Sequence, residues 1–373
     1  MGMTMLFDQE RIDKIQKFIQ EQVIGKARYY DINERFPERL WAYLSQELGI
    51  FDLLVTYPDR AVGFRTFLEI IRQLSLEFAS LASIAYTQGI YGISLLNRFG
   101  SPEQKQAYLA DLVSCQKMGV FAFSEKDIDL ERELPSTIAR QVDDGWVISG
   151  VKHKIANASL ADVVFVLAKT IDTYGKKGTG IFIVDRQQKG VTVGESVEKI
   201  GLRAMPLAPM SFEGVCLPSN SLLGGVEAGL QQWQATLMDM WGAIAAQSLG
   251  IAEGVHQKGI TCSQLKRNFG KRPIDVTINQ IKFAEIETKL AACKAYYQEY
   301  LRSDMQEKRA ILILKVLTSE TARSLSEEVI RITGSYHFLA ENDIERYVRD
   351  AEVASTYGGT NDGMRRKIAQ KWL

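Results

Sequence analysis

The sequence predicts a mainly α-helical protein with a central β domain. Three observations predict it: helical hydrophobic periodicity to about residue 117, short β-rich runs over 118–225, and helical periodicity again over 226–373. At 373 residues the chain has enough length for two or three packed units.

In the first segment Phe67, Ile70, Ile71 and Leu74 recur on one face of a helix. Ser101-Pro102-Glu103 supplies an N-cap, a first-turn proline and a first-turn acid, which together open a further helix. In the second segment the β-rich runs are Gly119–Phe123, Trp146–Ser149, Val163–Ala168, Thr179–Val184 and Val191–Val193. Asp143-Asp144-Gly145, Tyr174-Gly175-Lys176-Lys177-Gly178 and Lys189-Gly190 punctuate them as turns. In the third segment Ile286, Leu290, Cys293 and Tyr297 form one stripe of a long helix, and Glu307–Ile332 is a second long amphipathic stretch. Long helices with short connections predict a bundle of antiparallel neighbours. The apolar run Ala235–Ala252 contains Asp239 and Gln247, so it reads as a buried helix rather than a membrane span.

Lys+Arg and Asp+Glu are equal at 45 each, which argues against a nucleic-acid binder or an anionic membrane surface as partner. The four cysteines, Cys115, Cys216, Cys262 and Cys293, form no CxxC pair, and the histidines are His153, His256 and His337 alone. These patterns predict no metal site and no disulfide framework, with a reducing cytoplasm as the location. The opening residues carry charges within the first apolar stretch and have no signal-peptide core.

A string of local motifs narrows the class. Phe99-Gly100-Ser101-Pro102-Glu103-Gln104-Lys105 resembles the G-x-x-x-Q-K helix opening of the acyl-CoA dehydrogenases. Phe121-Ala122-Phe123-Ser124-Glu125 resembles their F-A-x-T-E strand, and Gly150–Asp162 their G-x-K-x-W-I-T-N-A-x-x-A-D run. Lys199–Arg203 with Phe212–Pro218 is similar to K-x-G-x-R followed by F-x-x-V-x-V-P. Gln264–Ile274 is similar to R-x-Q-F-G-x-P-I, and Arg349-Asp350-Ala351 with Thr356–Asp362 to R-D-A followed by I-Y-E-G-T-N-E. In order, these cover about residues 60–373. The short chain and the texture around Gln88-Gly89 and Phe123-Ser124-Glu125 look closest to the branch that acts on acyl-carrier-protein thioesters in natural-product pathways.

The resemblance implies a helical N-terminal domain, a β-barrel-like middle domain and a C-terminal four-helix bundle, and a homodimer or homotetramer. It also implies an FAD enzyme that takes a proton from Cα and a hydride from Cβ of an acyl thioester on CoA or an acyl carrier protein. Such chemistry needs a carboxylate whose pKa is raised by desolvation toward that of the thioester-acidified carbon.

That carboxylate is missing. The position in the Y-E-G-T turn is Gly358, and the alternative family position, counted back from Leu249-Gly250, is Met240. Loss of a positioned general base costs about 10²–10⁴-fold in rate. Asp239 is the remaining candidate, but neighbours on a helix diverge by about 100°, so it reads as a surface or paired carboxylate.

By the same resemblance, flavin contacts fall on Phe123, Ser124, Lys154, Ala156, Lys266, Arg267, Phe269, Gly334, Ser335, Thr360 and Asn361. Several depart from the pattern. Lys154 replaces the Trp that packs on the ring, and Ala156 the Thr that bonds near N5. Ile128-Asp129-Leu130 stands for G-S-D, Lys266 for the pyrophosphate Arg, and Arg331–Ser335 for Q-x-x-G-G. Lys154 either holds an ammonium over a flavin or is a solvated strand lysine beside Lys152 and His153. Glu125 and Asp127 read as turn and rim residues, and Tyr336 and His337 as packing. Trp233 and Trp241 read as core or subunit contacts, with a thioester-side role open for Trp241.

Three functions remain open: a flavin oxidoreductase on an acyl thioester with an atypical base, a flavin monooxygenase on the same scaffold, and a flavin-free protein that binds a thioester or carrier.

Overall fold

The computed structural model describes residues 6–267 and 270–372. Its N-terminal part comprises α1 (Gln9–Phe18), α2 (Ala27–Ile32), α3 (Glu38–Ala42), α4 (Arg60–Ser75), α5 (Ala79–Tyr86), α6 (Leu95–Phe99) and α7 (Pro102–Val113). The predicted face of α4 is buried, with Phe67, Ile70, Ile71 and Leu74 all inaccessible. α7 opens on a full capping box: Ser101 Oγ accepts from the Gln104 amide at 3.2 Å, and Gln104 Oε1 accepts from the Ser101 amide at 2.9 Å.

Between α5 and α6 the helix widens into a π-helical segment, Thr87–Ser94. Such widening frequently marks a functional site. It brings Gly92 against Gly119, so closely that a Cβ on Gly119 would lie 2.9 Å from the Gly92 Cα. Gln88 locks this approach: its Oε1 accepts from the Gly119 amide at 2.8 Å, and its Nε2 donates to the Leu112 and Lys117 carbonyls.

The central sheet has seven strands: β1 (Gly119–Ala122), β2 (Ile138–Val142), β3 (Gly145–Ala156), β4 (Val163–Ile171), β5 (Lys177–Asp185), β6 (Val191–Val193) and β7 (Leu207–Pro218). Its order is β1-β4-β2-β3-β7-β6, with β5 along β4. The parallel pairs are β1–β4 and β2–β4, and the others are antiparallel. The β3–β7 register slips between Lys152 and Ile155, a bulge that carries His153 and Lys154.

The C-terminal part is α8 (Gly229–Gln264), α9 (Thr277–Arg302), α10 (Lys308–Thr333), α11 (Glu345–Ala354) and α12 (Asn361–Ala369). The stripe Ile286, Leu290, Cys293 and Tyr297 on α9 is buried, and so is most of α8. Among the described residues no helix is long and apolar enough to cross a membrane.

Two of the sequence motifs meet in space. Asp350 Oδ1 accepts from the Leu202 amide at 2.7 Å, and Arg349 donates to the Ile200 carbonyl at 3.1 Å and pairs with buried Asp31 at 2.6 Å. The loop after β6 is thereby pinned to α11 and to the N-terminal helices.

Candidate active site

The site is assembled around α8. On it Trp233, Leu237 and Trp241 recur at i, i+4 and i+8 and line one side of a cavity of about 430 Å³. Lys308, Lys367 and Glu131 complete its wall. Lys367 lies 4.8 Å over the Trp241 ring and pairs with Glu131, which Arg366 also approaches at 3.8 Å. Trp241 faces this cavity.

The Trp241 indole donates to the Gly358 carbonyl at 2.7 Å, which ties the cavity wall to the turn that the motif resemblance marks as the base position. Gly358 has φ +66, and a Cβ there would lie 2.7 Å from Ile244 Cδ1 and 3.4 Å from Trp241 Cδ1. The place of a side chain is thus partly filled by a methyl group. Met240 is fully buried. Tyr357 and Tyr86 pack with ring centroids 6.3 Å apart, and burial pushes both phenols up, away from any role as a base.

Asp239 points elsewhere. It lies 3.9 Å from Arg98 and lines a different cavity, and burial pushes its carboxyl up to about 6 against the opposing pull of Arg98 and Arg60. It is a part-exposed carboxylate with a guanidinium nearby but no hydrogen bond to it.

A buried lysine holds the turn from below. Lys315 Nζ donates to the Gly359 carbonyl and to Asn361 Oδ1, both at 2.8 Å, and to the Ser355 carbonyl at 3.4 Å. Burial lowers its pKa to about 7. Asn361 donates in turn to Ser319 Oγ at 3.0 Å and Glu320 Oε1 at 3.3 Å, and Thr360 Oγ1 caps α12 by accepting from the Gly363 amide. The Asn361 side chain is therefore spent within the chain, whereas the exposed Thr360 hydroxyl accepts there but donates to no described residue. Lys315→Met strips donors from two or three enclosed oxygens, at about 1–3 kcal/mol each. Urea denaturation is expected to show a fall in midpoint without a change in slope.

One expectation needs correction: Glu125 is not a rim residue but is enclosed together with Lys152. Their side chains are 1% and 0% exposed and pair at 2.6 Å. Glu125 also accepts from the Ser136 amide and hydroxyl, both at 2.6 Å, and from the Thr137 amide at 2.9 Å. A charge removed from water needs a partner and several donors, and this one has both. Burial and the partner's pull set the two groups apart: Glu125 is held down to about 2, and Lys152 is lowered to about 8.

This buried pair fixes the loop that carries Phe123 and Ser124. Lys152 donates to the Phe123 carbonyl at 3.3 Å, and the His153 amide to the Ser124 carbonyl at 2.8 Å. The Phe123 ring sits 5.7 Å from Tyr91 and 6.1 Å from Trp233, so the loop borders the Trp cavity. The amide and hydroxyl of Ser124 donate to no described residue, leaving them free for a ligand. Lys154 lies on the β3 bulge with φ +56 and is exposed beside this loop, whereas Ala156 is buried and brings no polar group.

The remaining predicted contacts lie at the far end of α8 and α10. Arg267 stacks 3.2 Å above Tyr336 and donates to the Thr333 carbonyl at 3.3 Å, and its buried Nη1 is without a partner. Lys266 and Ser335 are exposed, and Gly334 ends α10 at φ +58. Phe269 lies outside the described residues. Ser124 and Arg267 each keep a donor unspent, whereas Lys154 and Ala156 do not reproduce the ring contacts that the resemblance implies.

Comparison with known proteins gives this arrangement its class. The acyl-CoA dehydrogenase N-terminal, middle and C-terminal domains match residues 8–116, 121–215 and 227–373. The chain belongs to the acyl-CoA dehydrogenase family. Among curated relatives, the 3-(aryl)acrylate reductase of Clostridium sporogenes is 28% identical over 377 residues, covering 98% of each chain. Among solved structures, the butyryl-CoA dehydrogenase of Megasphaera elsdenii superposes with a TM-score of 0.90 at 23% identity, over 100% of this chain and 99% of that one. The prolyl acyl carrier protein oxidase AnaB does so with a TM-score of 0.87 at 23% identity, over 98% of both.

Proposed function

We propose that this chain is an FAD-dependent oxidoreductase acting on an acyl thioester, carried by CoA or an acyl carrier protein, in a biosynthetic setting. We propose further that it works without a protein carboxylate at either family base position. The observation that carries the reading is the Tyr357–Thr360 turn. It is bonded to Trp241 and to Lys315 as a built structure, yet it presents a glycine and a methyl group where a proton acceptor belongs.

Bound FAD would supply hydride acceptance from Cβ. Phe123 and Ser124 would hold it at the ring end, and Arg267, with Gly334 and Ser335 nearby, at the other. The Trp233–Trp241 cavity suits the phosphopantetheine arm common to CoA and carrier proteins, with Lys308 and Lys367 at its polar wall. Gly358 and Met240 offer no side-chain base, and Glu131, the carboxylate in the cavity wall, is held in an ion pair with Lys367 and approached by Arg366, so the substrate on this reading has an unusually acidic Cα or brings its own proton acceptor. Exposed Ile278 and Ile281 on α9, with Leu265 and Val276 near it, support assembly into a homodimer or homotetramer.

The test is the visible spectrum and extracted FAD of the purified protein, followed by mass spectrometry of candidate thioesters after incubation. A yellow protein that converts an activated thioester is the expected result. A colourless protein that FAD does not stabilise would support a flavin-free carrier-binding role. Incorporation of labelled oxygen into the product would support a monooxygenase.

A further inference from the structure

A second cavity, of about 350 Å³, lies where α4, α6 and α8 meet the loop between α9 and α10. It shares no lining residue with the Trp233–Trp241 cavity. The two open on different sides of α8, Asp239 lying about 200° around the helix from Trp241.

The polar lining of this cavity is unusually unspent. Asp239 accepts no hydrogen bond from any described residue, and its closest cation, Arg98, stands 3.9 Å away, too far for a hydrogen bond. The Arg98 and Arg60 guanidiniums donate no hydrogen bond to a described residue, although Arg98 lies 5.2 Å over the Phe99 ring, and the second carboxylate of the lining, Asp304, accepts from the Gln306 amide. The Asp239 side chain is 31% exposed, and that exposure is toward the cavity. Leu53, Leu54 and Phe64 form an apolar wall beside these charges.

A ligand with one charge would satisfy only half of this lining. An anion would leave Asp239 without a donor, and a cation would gain Asp239 and Asp304 but face the like charge of the two guanidiniums. A small molecule that carries both charges, with an apolar group attached, satisfies both and covers the wall. We propose that this cavity binds a free α-amino acid with an apolar side chain, its carboxylate on Arg98 and Arg60 and its ammonium on Asp239. The proposal stands independently of the reading of the Trp233–Trp241 cavity.

Calorimetric titration of the full-length protein with L-leucine, L-methionine and L-phenylalanine tests it. At least one is expected to bind saturably with one site per chain. The N-acetyl and methyl ester forms, each lacking one charge, are expected to bind at least about tenfold more weakly, as loss of one charge-assisted hydrogen bond requires. Asp239→Asn and Arg98→Gln should each weaken the free amino acid by about the same factor. Arg98 is exposed enough that its replacement leaves the unliganded melting temperature unchanged, so this variant stays informative if Asp239→Asn fails to fold. Three results would overturn the proposal: no saturable binding by any of the three amino acids, an N-acetyl form that binds as tightly as its parent, or binding indifferent to Arg98→Gln.

Discussion

Gly358→Glu combined with Ile244→Val is expected to raise dehydrogenation of ordinary saturated acyl thioesters by about 10²–10⁴-fold over the native protein, the contribution of one positioned base. The second substitution follows from the geometry. Ile244 Cδ1 lies 2.7 Å from where the new Cβ must sit, and valine lacks that methyl. Removing it costs about 0.5–1.5 kcal/mol. Holding a non-glycine residue at φ +66 costs about 1–2 kcal/mol more. A folded domain tolerates the sum. Gly358→Glu alone is expected to gain less, because Ile244 must first move. The measurement is the rate of enoyl thioester formation on a short saturated substrate. If FAD is bound and the double variant stays inert on every saturated thioester tried, the pocket has changed by more than one side chain.

Glu125→Gln is expected to lower stability by about 3–5 kcal/mol, the cost of stranding a buried charge. The variant keeps the shape of Glu125 but leaves the Lys152 ammonium enclosed without its counter-ion. Adding Lys152→Met should recover part of the loss, because the stranded charge is then gone. The pH dependence has a definite sign. Glu125 titrates at about 2 in the folded chain against an ordinary 4.5, so the unfolded chain takes up the proton first as pH falls. The stability from this group is complete above pH 4.5 and is lost as pH falls through about 2. Denaturant titrations across that window should show a steep fall for the native protein and a flatter one for Glu125→Gln. Because the pair anchors the loop with Phe123 and Ser124, the variant should also hold FAD less tightly.

Much of the fold was legible because its hydrophobic periods are strong. The α4 face, the α9 stripe and the Ser101 capping box all lie where periodicity and cap residues put them. Strand β7 was harder to read. Met210 and Phe212 alternate, but an extra residue near Gly214 shifts Val215 and Leu217 out of step, so the period of two breaks in mid-strand. The buried charges were the least legible. In sequence Lys152 stands among Gly150, His153 and Lys154 as one more polar strand residue. Only the pairing of β3 with β7, and the return of the Glu125 loop over it, encloses its ammonium. Lys315 was hidden differently, in an apolar stretch of α10, and its partners Gly359 and Asn361 are more than forty residues away. No short-range pattern connects such groups. The glycine at 358, by contrast, could be read directly, because it depends only on which residue occupies a named position in a turn.

The most direct test follows the Cα protons of a saturated, unactivated acyl thioester in D₂O, by NMR, in the presence of the FAD-loaded native protein under anaerobic conditions. Exchange no faster than in buffer is the predicted result, since neither Gly358 nor Met240 can accept a proton. Rapid exchange would contradict the account, because it would require a base at neither family position, and the carboxylate in the cavity wall, Glu131, is held in its ion pair with Lys367.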